Sequence, residues 1–184
     1  MAEKDEIFPM GLGVGEARAF IVAIAQAHAL PAESVRLEAA GGRVLAADAT
    51  APHDVPGFAN SAMDGFALRA ADLSAAGEKS FRLIGEVFAG GRAATDVEAD
   101  TCVRITTGAP LPPGADTVVM KENTRIEAAR NEADCVVVLP GTVRAANVRP
   151  AGEDYRAGDV ARKRGCRLGP ARLGVLASFG NAEV

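Results

Sequence analysis

Apolar residues first recur along the chain with a helical period. Between Glu16 and Ala29 they fall at Ala17, Phe20, Ile21 and Ile24, which predicts a helix with one face to bury, ended by Pro31. His28 extends that face, and with no partner cluster nearby it reads as a packed or surface residue rather than a ligand. Val35-Arg36-Leu37-Glu38 alternates like a short strand, Gly41-Gly42 punctuates, and Val44-Leu45-Ala46 with Ala49 leads into Pro52-His53-Asp54-Val55-Pro56-Gly57. Beyond this proline-flanked stretch the period shortens to two. Strands are predicted over Phe66–Arg69, Phe81–Phe88, Cys102–Thr106, Thr117–Met120, Arg125–Glu127 and Cys135–Leu139. Turn signals at Ala89-Gly90-Gly91, Leu111-Pro112-Pro113-Gly114 and Pro140-Gly141 separate them, and the even spacing suggests a β-rich, barrel-like unit. After Asn147 the pattern changes again, to a turn at Gly152-Glu153-Asp154 and a short segment around Asp159-Val160-Ala161. Gly169-Pro170 then opens a helix through Leu173, Leu176 and Ala177 that Gly180 closes.

Helical patterning at both ends thus brackets a β-rich middle. The reading is an α+β chain of two domains. Residues 1–52 and 146–184 form a discontinuous mixed α/β domain, and residues 53–145, running from about His53 to Arg144, form a β-rich domain inserted into it. Composition sharpens this picture. Of 184 residues 48 % are hydrophobic but only 4 % aromatic, with no Trp, so the core must be aliphatic. A net charge of −4 and a pI near 5.3 argue against a nucleic-acid binder, whose affinity rests on neutralising phosphates. Arg162-Lys163-Arg164 with Arg167 is a short basic run with aspartates nearby, and reads as a solvated loop edge.

Cys102, Cys135 and Cys166 are odd in number and far apart, without a Cys-x-x-Cys pair. They read as reduced, buried residues of a cytoplasmic protein rather than a zinc or iron–sulfur site. The acidic start, Glu3-Lys4-Asp5-Glu6, is unlike a signal peptide, and the apolar run Ala19–Ala25 is too short to span a membrane. Gly11-Leu12-Gly13-Val14-Gly15 has the wrong spacing for a dinucleotide loop, and Phe8-Pro9-Met10 before it is a poor strand.

The candidate chemistry lies in Asn60-Ser61-Ala62-Met63-Asp64-Gly65-Phe66-Ala67, where a carboxylate stands at the mouth of an ordered element. Asn60 and Ser61 offer local hydrogen bonds, Gly65 permits a positive φ after the acid, and Met63 and Phe66 anchor the loop by burial. Taken alone, Asp64-Gly65 is also what an ordinary turn opening a strand looks like.

This stretch, with Pro52–Ala59 before it, resembles the signature loop of the MoeA family, the molybdopterin molybdenumtransferases, whose animal relative is the gephyrin E domain. Arg104-Ile105-Thr106-Thr107-Gly108-Ala109-Pro110 and the strand after it are similar to the family's Thr-Gly-Ala-Pro loop. Asn147-Val148-Arg149-Pro150-Ala151-Gly152-Glu153-Asp154 is similar to its Arg-x-x-Gly-Glu-Asp turn. The resemblance runs from about Val14 to the end and implies the same inserted-domain layout.

It further implies a reaction in which molybdate is inserted into adenylylated molybdopterin with release of AMP, helped by Mg²⁺. Molybdenum is then substrate, not cofactor. Carried over by motif, Asp64 holds the cation or orients the attacking water, and Thr107 donates its hydroxyl to an oxyanion from a loop whose Gly108 exposes backbone N–H groups. Ser61 is a further candidate donor. Arg149, Glu153 and Asp154 match a motif too, with a salt-bridged turn between domains as the plainer role. Phe66 stands where Tyr is usual in the family, which removes a hydroxyl.

The resemblance also implies a homodimer and a partner protein that produces the adenylylated substrate, with no nucleic acid and no membrane. Family members would continue past Val184 into a larger pterin-gripping domain, so the expectation is an N-terminal portion, inactive alone. A non-catalytic dimerisation or binding module is the alternative.

Overall fold

The computed structural model describes residues 11–74, 77–92, 94–127, 134–141, 143 and 145–184. The acidic start at Glu3–Glu6, the Phe8–Met10 segment and Arg144 lie outside the described residues. The chain divides into two compact units, at Val35 and Arg36.

The described part of the first unit is built on α1 (Val14–Ala27). Glu16 in its first turn accepts the Gly13 N–H at 2.9 Å, where a carboxylate also complements the helix dipole. At the other end His28 Nδ1 donates to the Ile24 carbonyl at 2.9 Å, so the ring folds onto its own helix. The expected buried face is not buried: no α1 residue is, and Ile21 is 65 % exposed. At 100° per residue Val22 falls opposite Phe20 and Ile24, so apolar surface wraps the helix instead of forming one stripe.

In the second unit Ala49–Thr50 (β1), Asn60–Ser61 (β2), Gly65–Leu68 (β3), Lys79–Val87 (β4), Thr101–Ile105 (β5), Thr117–Met120 (β6), Thr124–Glu127 (β7), Cys135–Val138 (β8), Val148–Arg149 (β9) and Val160–Arg162 (β10) precede the helix α2 (Pro170–Ser178). All six predicted strands form within a residue or two of their expected bounds. They join in one curled sheet of order β6-β3-β5-β4-β8-β7, antiparallel except where β4 meets β5. Pairs of neighbouring residues serve opposite faces, as the pleat requires. Phe66, Leu68, Phe81, Cys102, Val119, Val136 and Val138 make one core, and Ala67, Val87, Val97, Val103, Ile105, Ala109 and Val118 the other. With apolar groups packed on both faces, β3 and β5 read as nearly continuous hydrophobic runs.

The segments flanking the sheet run back along each other. Arg36 bridges Glu183, Val44 bridges Arg167, β1 pairs with β10, Val55 bridges Tyr155, and β2 pairs with β9. The strand expected at Val35–Glu38 is a 3₁₀ turn over Leu37–Ala39 instead. Pairing there is a single bridge at Arg36, and the Leu37 N–H goes to the Ala182 carbonyl at 2.9 Å. With its donor taken, the backbone curls to bury Ala40. Pro170 occupies the first turn of α2, where its missing N–H costs nothing, and Leu176 is its buried anchor.

Candidate functional site

The three motif segments meet around Ser61. Its backbone N–H donates to the Ala109 carbonyl at 3.0 Å, its carbonyl accepts the Gly108 N–H at 2.8 Å, and it pairs with Val148 across β2 and β9. The Ser61 hydroxyl, buried with the rest of the residue, donates to the Met63 carbonyl at 2.6 Å and accepts the Met63 N–H at 3.2 Å. It therefore shapes the loop from within and is not presented to a ligand.

That loop delivers Asp64. Its carbonyl accepts the Lys121 N–H at 3.1 Å, and its carboxylate reaches across to the second motif. Oδ1 accepts both the backbone N–H and the hydroxyl of Thr107, each at 2.9 Å. Lys121 Nζ stands 3.9 Å from Oδ2. The Thr107 N–H, then its hydroxyl, hold the carboxyl below the usual carboxylate value of 3.8 against the opposing effect of desolvation, with lesser help from Lys121 and then Arg104. Asp64 is thus an ionised, half-exposed carboxylate at neutral pH, clasped on one side and open on the other.

Asp64 and Thr107 are brought together as expected residues of one site. Lys121 and Arg104 are neighbours that sequence reasoning missed. Lys121 arrives because Gly65 pairs with Met120, and Arg104 because it pairs with Phe66, register facts that no local pattern announces.

Gly65 was expected to supply a positive φ, and it has none. A Cβ there would lie 1.9 Å from the Val119 carbonyl oxygen, so the residue is glycine because β6 passes too close for any side chain. Gly108 does take the left-handed φ, 80°. Its N–H and its neighbours' are not turned outward as an oxyanion cradle, however. The Thr107 N–H goes to Asp64, the Gly108 N–H to Ser61 and the Ala109 N–H to the Thr106 carbonyl.

The third motif makes the plainer turn. Arg149 pairs with Glu153 and, at 3.3 Å, with Asp154. Gly152 and Asp154 donate backbone N–H groups to the Pro56 and Val55 carbonyls, and Asp54 Oδ1 accepts the Ala157 N–H at 2.8 Å, which ties the turn to the stretch before Asp64.

Mg²⁺ wants a near-octahedral shell of oxygens. Asp64 Oδ1 is already taken twice, Oδ2 faces an ammonium, and among the described residues no three His, Cys, Asp or Glu side chains group around a metal position. Among the described residues Asp64 is thus not accompanied by the further carboxylates that would complete a magnesium shell. The described cysteines are free, and burial pushes the Cys102 thiol up to about 12, so it is a packing group and not a nucleophile. Among the described residues no helix is long and apolar enough to cross a membrane.

The sequence and the fold have counterparts in known proteins. A molybdopterin molybdenumtransferase of Haemophilus influenzae is 38 % identical over 152 residues, covering 83 % of this chain and 36 % of the relative. One from Staphylococcus aureus is 37 % identical over 162 residues, covering 86 % of this chain and 38 % of its own length. The chain thus spans little more than a third of the relatives it matches. The crystal structure of the molybdopterin biosynthesis moeA protein from Pyrococcus horikoshii OT3 superposes with a TM-score of 0.76 at 33 % identity, over 83 % of this chain and 40 % of that one. The family described as the MoeA N-terminal region, domain I and II, matches residues 12–180. A match over that span takes in all three stitched motifs, and the chain belongs to the family of MoeA N-terminal regions.

Proposed function

We propose that this chain is the N-terminal part of a molybdopterin molybdenumtransferase, and that it brings the Asp64–Thr107 clasp to the site where molybdate enters adenylylated molybdopterin and AMP leaves. The clasp carries the reading. Two residues 43 positions apart, one in each of two motifs similar to the family's, are joined by two hydrogen bonds at a half-exposed surface. Held this way, Oδ2 of Asp64 orients a water or hydroxyl-bearing reactant and accepts its proton. Lys121 and Arg104 draw phosphate and molybdate oxygens to the same edge. Thr107 keeps Asp64 ionised and fixed in direction.

The rest of the machinery, including the surface that grips the pterin and any full shell for Mg²⁺, comes from sequence outside this chain. The working form is a cytoplasmic homodimer that receives its adenylylated substrate from a partner protein. The apolar residues wrapped around α1 support such an assembly, since a helix apolar on all sides is ordinarily buried. The paired flanking segments support a layout in which the six-stranded sheet is inserted between two halves of a smaller domain.

In a protein extended to the length of its relatives, Asp64→Asn is expected to lower turnover on the order of a hundredfold with little change in melting, the usual loss for one preorganised electrostatic contact. Thr107→Val keeps the β-branched shape and the backbone N–H but deletes the hydroxyl, and should lose less. Near-normal turnover in Asp64→Asn with unchanged melting would reduce the Asp64-Gly65 pair to an ordinary turn.

A further inference from the structure

The Asp64 loop is held from a direction that neither Thr107 nor Ser61 accounts for. Asn147 lies in the left-handed region, φ 56°, which asparagine tolerates better than most residues. That conformation lets it face two ways. Its side-chain Nδ2 donates to the Val118 carbonyl on β6 at 2.9 Å, while its backbone carbonyl accepts the Ala62 N–H at 2.9 Å, two residues before Asp64. Its neighbours repeat the attachment. Val118 N–H donates to Ala146, the Ala145 N–H donates to the Thr117 hydroxyl, and Val148 pairs with Ser61.

We propose that Asn147 is a positioning residue for Asp64, bracing the loop against β6 so that the carboxylate meets Thr107 at the clasp. The catalytic value of that position rests on the function proposed above, but the brace itself does not. The third motif then reaches the Asp64 loop through its asparagine and β9, while Glu153 and Asp154 pair with Arg149. Without the side-chain amide the loop keeps its pairing to β9, and Ala145 and Ala146 keep their bonds to β6, but the brace from Asn147 itself to the Val118 carbonyl is gone. Ala62 is then free to shift, and Asp64 with it.

The test separates backbone conformation from the side-chain tie. Asn147→Gly retains access to the left-handed φ and deletes the amide. Asn147→Asp keeps shape and size but, once ionised, sets an oxygen against the Val118 carbonyl. The readout, in the 184-residue chain without substrate, is the NMR titration of the Asp64 carboxyl together with the Thr107 amide shift, beside a thermal melt. Both are recorded at high salt, which screens Lys121 and Arg104, the charged groups facing Asp64, more than the direct hydrogen bonds.

In the wild-type chain Asp64 is expected to titrate below 3.8. In Asn147→Gly Asp64 should move up toward 3.8 and the Thr107 amide should shift, with the rest of the spectrum native; in Asn147→Asp, read at a pH where both carboxyls are ionised, the Thr107 amide should shift likewise. An unmoved Asp64 titration in a folded Asn147→Gly overturns the proposal. So does loss of the whole fold in both variants, which would make Asn147 a support of the sheet and not of one loop. A transferase that proved inactive at full length would sink the functional reading while leaving this result standing.

Discussion

Gly65 is set by what lies beside it rather than by its own backbone. Because a methyl group there would collide with the Val119 carbonyl, Gly65→Ala forces β3 and β6 apart. The expected cost is ~1–3 kcal/mol or more, read as a lower urea midpoint with an unchanged slope. The same variant should weaken the Asp64 carbonyl bond to the Lys121 N–H, since that bond continues the β3–β6 ladder. Asp64 has its own pH signature. Its folded carboxyl titrates below the unfolded value, so its contribution to stability is complete above 3.8 and disappears only as pH falls through the lower folded value. Thr107→Val removes one of the two Thr107 hydrogen bonds that lower it and should shift that loss to higher pH, as followed by acid unfolding.

At this scale the sequence was legible in kind but not in arrangement. Asp64 and Thr107 stood out because the stretches that hold them resemble the family's motifs, whereas Asp64-Gly65 taken alone also passes for an ordinary turn. The reason for Gly65, the inward turn of the Gly108 N–H and the nearness of Lys121 all depend on strand register, which residue identities do not carry.

At the scale of elements, short apolar and β-branched runs set between turn signals located every strand of the sheet, and the two faces of β3, β5 and β6 feed separate apolar cores. Phe81 is a good probe of this, being essentially unexposed in β4. Phe81→Ala should cost ~3–5 kcal/mol, the range for an aromatic core truncation. By contrast Val22→Glu on α1 should change the stability of this chain by no more than about 0.5 kcal/mol, as is usual at exposed positions. Paired thermal melts would check both. The helix was legible as a helix, from its spacing and from Pro31 beyond its end, but not as an exposed one. Periodicity reports which residues could share a face and is silent on what covers them. The missed 3₁₀ turn has a related cause, since alternation in Val35–Glu38 suggested a strand whose partner supplies only one bridge.

Across the whole molecule, the expectation is that the purified 184-residue chain binds no more than part of its substrate and releases no AMP from adenylylated molybdopterin. Turnover by this chain alone would overturn the division of labour proposed here. The clasp between Asp64 and Thr107 also bears on how the protein acquires its shape. Its partners are 43 residues apart, and the loop they secure is closed from a third segment beyond β8. Contacts so distant along the chain cannot form until the intervening loops have closed, and topologies rich in them fold slowly. During refolding the Thr107 amide should therefore become protected late, after the strands on either side have paired. A nascent or partly folded chain would then carry every residue of the site and none of its geometry.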